Sequence, residues 1–159
     1  MMHTVSIAFG LLFCGLVSTP ENALADEQKS ILVTGATTGI GRNLAETLAS
    51  NGYHVGAGAR TNAVMAELNA IDNITAIRLD VTKQDQVDEA VETVRASGTG
   101  LYALVNNAGI GDGGPIVDTP IDVQTLVYNV NVEGVYRTTQ AFAPLVIESK
   151  GRIATTGSF

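Results

Sequence analysis

The sequence predicts an α/β fold built as a doubly wound parallel sheet, and three observations carry that prediction. Five short runs rich in β-branched or small apolar residues recur along the chain. Between them lie segments whose apolar residues return at helical spacing. The runs end in glycine, amide or charged residues, the kinds that close a strand and face a ligand at the carboxyl edge of a sheet.

The first run opens Ile31-Leu32-Val33-Thr34-Gly35-Ala36-Thr37-Thr38-Gly39-Ile40-Gly41 and passes directly into Arg42 to Ala49, which has helical periodicity. Strand, glycine turn and helix therefore follow without a gap. A helix N-terminus carries unpaired amide hydrogens and the positive end of the macrodipole, so it holds a pyrophosphate if nothing bulky blocks the approach. Gly35, Gly39 and Gly41 meet that condition. A tight βα turn without a ligand has the same local pattern.

Tyr53 to Arg60 reads as the second strand, beside the first. In dinucleotide folds the end of this strand faces the adenosine ribose, where a carboxylate would hold a 2′-hydroxyl and an arginine would accommodate a 2′-phosphate. Ala59 and Arg60 stand there, which points to NADP rather than NAD. Asn62 to Ala70 is a short helix, and Ile74 to Val81 a third strand. Asp80 and Val81 then lie at the sheet edge, where Asp80 serves either an adenine amino group or the start of the next helix.

Lys83 to Ala96 is an amphipathic helix with Val87, Ala90, Val91 and Val94 as its core stripe. Leu101 to Val105 forms the fourth strand and ends in Asn106-Asn107-Ala108-Gly109, two amides followed by room for a flat ring, or simply an Asx turn. After a glycine-rich loop, Asp118-Thr119-Pro120 starts a helix with proline in its first turn. Its pattern runs from Ile121 to Ser149, with a kink or close packing expected at Gly134 and at Pro144. Gly151 to Thr156 begins the fifth strand, and Gly157-Ser158-Phe159 follows.

At 159 residues, 45% hydrophobic, the chain suffices for one domain with a sizeable core. Its net charge of -7 and scattered Lys and Arg argue against a nucleic-acid partner. Residues 1 to 25 differ in composition from the rest. Val5 to Val17 is almost wholly apolar, Pro20-Glu21-Asn22 breaks the run, and Ala23-Leu24-Ala25 precedes Asp26-Glu27. This is the layout of a secretory signal with a small-x-small cleavage site. The run is shorter than the roughly 20 residues needed to span a bilayer, which favours a cleaved signal over an uncleaved anchor. Met1-Met2-His3-Thr4 offers little positive charge, so a mis-assigned start codon is a third reading. The chain is exported or membrane-anchored if the segment acts as a signal, and cytoplasmic otherwise. The one cysteine, Cys14, lies inside it, so residues 26 to 159 have no thiol chemistry.

The arrangement resembles the classical short-chain dehydrogenase/reductase family over about residues 29 to 159. Thr34-Gly35-x-x-x-Gly39-x-Gly41, Asp80-Val81, Asn106-Asn107-Ala108-Gly109, Asn131 and Gly134, and Gly151-Arg152-Ile153 leading to Ser158 match its landmarks in order. The resemblance implies a Rossmann-like domain in which Gly35, Thr37, Gly39, Ile40 and Gly41 line the pyrophosphate. It gives the 2′-phosphate to Arg60, the adenine to Asp80 and Val81, and the nicotinamide side to Asn107, Ala108 and Gly109. Asn131 corresponds to the catalytic Asn that holds a helix kink open, and Ser158 to the catalytic Ser that polarises the substrate carbonyl. The run before Ser158, Thr156-Gly157, departs slightly from the family's pattern.

The family's acid-base residue is a tyrosine four positions before a lysine. Here Tyr53, Tyr102, Tyr128 and Tyr136 are followed four residues on by Ala57, Asn106, Val132 and Gln140. A phenol with a pKa near 10 serves near neutral pH only if a cation lowers it. Two readings follow. In the first, residues 26 to 159 are the incomplete amino-terminal part of an NADP-dependent oxidoreductase whose full-length form takes a small alcohol or carbonyl substrate and forms a homo-oligomer. In the second, the chain is a non-catalytic dinucleotide-binding or partner protein. Either way, no acid-base pair is present as written.

Overall fold

The computed structural model describes residues 28–111, 114–115 and 117–157; the signal-like segment and Ser158 lie outside the described residues. Ser30–Val33 (β1), His54–Ala59 (β2), Ile74–Arg78 (β3), Ala103–Asn106 (β4) and Arg152–Thr155 (β5) form one parallel sheet in the order β3-β2-β1-β4-β5. The order reverses between β1 and β4, so the carboxyl ends of those two strands bound a crevice where connecting loops leave in opposite directions.

Strand alternation explains the two-sided core. Ile31, Val33, Val55, Ala57 and Ala103 face Gly39–Ser50 (α1) and Asn62–Asn69 (α2) through Ala45, Ala49 and Leu68. Leu32, Ile77 and Leu104 point the other way, onto Gln84–Ala96 (α3) and Gly134–Glu148 (α5) through Val87, Val91, Phe142 and Leu145. Both faces of β1 are covered, which is why its sequence is a continuous apolar run. β5 differs: all four of its residues are exposed, with Ile153 at 40%.

Several boundaries depart from the sequence reading. β3 stops at Arg78, leaving Leu79, Asp80 and Val81 in the loop beyond the sheet. Lys83, not Asp80, occupies the N-cap of α3; Asp80 instead accepts from the Thr82 amide (3.0 Å) and hydroxyl (2.7 Å), an Asx turn that leads into the helix. Pro120 sits at the N-cap of Ile121–Tyr128 (α4) rather than within its first turn.

The long helical pattern is three pieces. α4 runs into a π-helical turn, Asn129–Glu133, and then into α5. Gly134 ends the π turn and packs closely, as expected, whereas Pro144 lies inside α5. No helix among the described residues is long and apolar enough to cross a membrane.

Candidate functional site

The ends of β1 and β4 are tied together before any ligand is considered. Thr34, 1% exposed, accepts through Oγ1 from the amides of Asn107 and Ala108, both at 2.9 Å. Asn107 Nδ2 donates in return to the carbonyls of Thr34 (3.1 Å) and Gly35 (3.3 Å). This contact also sets how little room the glycines of the turn have. A Cβ on Gly35, at φ +65°, would stand 2.7 Å from Ala108 Cα, and one on Gly41 would stand 2.3 Å from Asn107 Nδ2. The sequence reading gave all three glycines to the approach of a phosphate. In the structure Gly35 and Gly41 make room for the protein's own Asn107-Ala108 turn, and only at Gly39 does the position open onto free space.

The glycine turn delivers the chain to the first turn of α1. Thr38 is its N-cap and makes no side-chain capping bond, and the first turn contains no acidic residue. The opening amides of α1 therefore remain available, with the helix dipole behind them, to an anion in front of the helix.

At the other end of the crevice Arg60 is exposed immediately after β2. Asp80 lies nearby. Burial alone would push its carboxyl upward, but the two Thr82 hydrogen bonds and the charges of Arg60 and Lys83 outweigh that and hold its pKa below the usual carboxylate value. Val81 is fixed from α5: its carbonyl accepts from Arg137 Nη1, and its side chain packs where a Cβ on Gly134 would be.

The π turn sets the third wall. An extra residue in the turn re-aims the side chains that follow it, and Asn131 donates through Nδ2 to the Ile110 carbonyl (2.8 Å) while its Oδ1 accepts from the Ile110 amide (2.9 Å). Both polar groups of the side chain are thus spent on holding the loop after Gly109. Thr138, fully buried in α5, donates to Asn106 Oδ1 at 2.7 Å and anchors the same turn from below.

These walls enclose a cleft of about 770 Å³. Gly35, Thr37, Ile40 and Gly41 line it at the α1 end, Arg60, Asp80 and Val81 at the β2–β3 end, and Asn107, Ala108, Gly109 and Asn131 along the β4 side. Of the residues expected from sequence, Gly39 is not among the lining residues and Ser158 lies outside the described ones. Thr38, Ile110 and Thr156 also line the cleft and were not singled out. Of these, Thr156 follows the last residue of β5, and a hydroxyl at a strand end is the signal that would have found it. Volume and chemistry fit a dinucleotide: an elongated crevice with unpaired helix amides midway, a cation at one end and small residues at the other. Among the described residues no group of His, Cys, Asp and Glu could hold a metal ion.

Comparison with known proteins agrees with this geometry. Residues 29–159 match the model of the short chain dehydrogenase family. The chain is 38% identical over 148 residues to the mitochondrial D-beta-hydroxybutyrate dehydrogenase of Rattus norvegicus, an alignment covering 87% of this chain and 43% of that protein. Among solved structures it resembles a short-chain dehydrogenase from Streptomyces avermitilis, with a TM-score of 0.77 and 32% identity over 85% of this chain and 51% of the other. It also resembles the L-sorbose reductase of Gluconobacter frateurii, solved with NADPH and L-sorbose, at a TM-score of 0.76, 27% identity and 84% and 53% coverage. The chain spans about half the length of the curated relatives it matches. With the strand order, the cleft and the family match in agreement, the chain belongs to the short-chain dehydrogenase family of NAD(P)-dependent oxidoreductases.

Proposed function

We propose that this chain is the amino-terminal portion of an NADP-dependent oxidoreductase that interconverts a small alcohol and its carbonyl, and that it is inactive as written. The observation that carries the NADP reading is Arg60, exposed at the cleft end of β2 where a ribose-binding carboxylate would otherwise stand. In this reading the first-turn amides of α1, with Thr37 and Ile40 beside them, bind the pyrophosphate, and Gly35, Gly39 and Gly41 shape the turn that presents them. Arg60 pairs with the 2′-phosphate, while Asp80 and Val81 receive the adenine. Asn107, Ala108 and Gly109 form the wall on the nicotinamide side. When bound, the nicotinamide exchanges hydride with the substrate carbon.

Hydride transfer to a carbonyl leaves an alkoxide that must be protonated. Ser158 is assigned to polarise the carbonyl oxygen, and Asn131 to keep the π turn and the Ile110 loop in place. Neither is an adequate proton donor, and no tyrosine of the chain precedes a lysine by four residues. Binding without turnover is the consequence. The exposed face of α5, with Tyr136 70% and Ile147 74% exposed, supports a homo-oligomer of the full-length form.

Calorimetric titration of the chain with NADP and with NAD, alongside an assay for ketone reduction, tests the reading. NADP binding at least about tenfold tighter than NAD, lost in Arg60→Ala, supports it. Equal affinity for the two would remove the NADP assignment, and carbonyl reduction by the chain alone would remove the inactivity.

A further inference from the structure

The β2–β3 register sets Ala59 opposite Arg78, so the last residue of β3 stands beside the corner where β2 gives way to α2. From there Arg78 donates through Nη1 to the Arg60 carbonyl at 2.7 Å and through Nη2 to Asn62 Oδ1. Both acceptors are neutral, so neither neutralises the guanidinium. The salt bridges among the described residues are Arg42 with Glu46 and Glu67, Arg95 with Glu92, and Arg137 with Glu133. Arg60 and Arg78 are in none of them. The first turn of α2 contributes no carboxylate either. Asp80 is the acidic group nearest in effect to Arg60, and one of its oxygens is already committed to Thr82.

Arg60 lines the cleft, Arg78 is held against its carbonyl just behind that corner, and among the described residues no ion pair engages either guanidinium, Asp80 alone acting on Arg60 through its charge. Like charges so placed are costly unless an anion joins them. A guanidinium has five donors in a fixed fork, and Arg78 spends only two on the protein. We propose that Arg78 is a second specificity-determining residue for the 2′-phosphate of NADP: it fixes the backbone of Arg60 and adds its own charge and free donors to the same phosphate. The proposal rests on the NADP reading given above. A planar fork that bonds the Arg60 carbonyl, the Asn62 amide oxygen and a phosphate together is work for arginine and not for lysine.

The test is titration of the 159-residue chain with NADP and NAD for the wild type, Arg60→Ala, Arg78→Ala and Arg78→Lys. Arg78→Met keeps the stem packed if the alanine variant does not fold. Arg78→Ala should weaken NADP about tenfold and leave NAD within about twofold, because a charge-assisted bond is lost only from the ligand that has the phosphate. Arg78→Lys should lose less, since it retains the charge without the fork. Equal weakening of NADP and NAD by Arg78→Ala and Arg78→Met would mean a structural role and overturn the proposal, as would no effect on either. If Arg60→Ala abolishes the preference and the Arg78 variants keep it, the NADP reading stands and this inference falls. If the wild type shows no preference, both fall together.

Discussion

Gly134 lies directly against Val81: a Cβ at position 134 would stand 2.7 Å from Val81 Cγ2 and 3.1 Å from its Cβ. The end of the π turn and the end of the cleft lined by Asp80 and Val81 are therefore one packed contact. Gly134→Ala gains up to about 1 kcal/mol of helix propensity and loses about 1–3 kcal/mol by overpacking a β-branched neighbour that has little freedom at χ1. The expected outcome is net destabilisation in urea and a weaker dinucleotide affinity, measured on the same variant. Unchanged affinity would separate Val81 from the binding site.

Removing the Thr34 hydroxyl should cost more than its size suggests. Thr34→Val keeps the shape but leaves two half-buried amides, those of Asn107 and Ala108, without their acceptor, for a loss of about 1–3 kcal/mol. Thr34→Ser, which keeps the acceptor, should stay within about 1 kcal/mol of wild type. Chemical denaturation of the pair distinguishes the hydroxyl from the methyl.

The three glycines of the turn should not respond alike to alanine. At Gly41 the new Cβ meets Asn107 Nδ2 and the Gly35 carbonyl within 2.4 Å, a clash that requires the turn to move and costs about 3 kcal/mol or more. At Gly39 it meets nothing within 4 Å, and only the φ of +59° is penalised, by about 1–2 kcal/mol. Thermal melts should therefore rank Gly41→Ala well below Gly39→Ala.

Asp80 predicts a pH dependence of definite sign. Its folded pKa lies below the ordinary value, because the Thr82 bonds and the charges of Arg60 and Lys83 outweigh burial. A carboxyl depressed on folding adds stability that is complete above its unfolded pKa, about 3.9, and is lost as pH falls through the lower folded value. Urea midpoints followed from pH 6 down to pH 2 should fall more steeply for wild type than for Asp80→Asn. Parallel curves would show that Asp80 does not contribute.

The sheet and most of the cleft are legible in the sequence because their signals are local. Ile31 to Gly41 carries strand, turn and helix start in consecutive residues, and Asn106 to Gly109 has its amides adjacent. What is not local is not legible. The π turn adds a single residue to one revolution, and no apolar period resolves a slip of that size within residues 121–149. Arg78 reads as an ordinary strand residue until the β2–β3 register brings it to Arg60 and Asn62. The close packing of Gly35 and Gly41 likewise depends on a turn more than sixty positions away, since their neighbours are Ala108 and Asn107.

The central place of β1 also has a consequence in time. Ile31 pairs with Val55 on one flank and with Ala103 on the other. The first partner is synthesised soon after β1, the second about 70 residues after it. At roughly 5–20 residues per second, the second flank of Ile31-Leu32-Val33 waits about 4–14 seconds for β4 to emerge. During that interval it is an apolar strand with an unpaired edge. A nascent chain of this protein is therefore most vulnerable to aggregation between the completion of β3 and the arrival of Ala103, and a holdase acting on the ribosome has its greatest effect there.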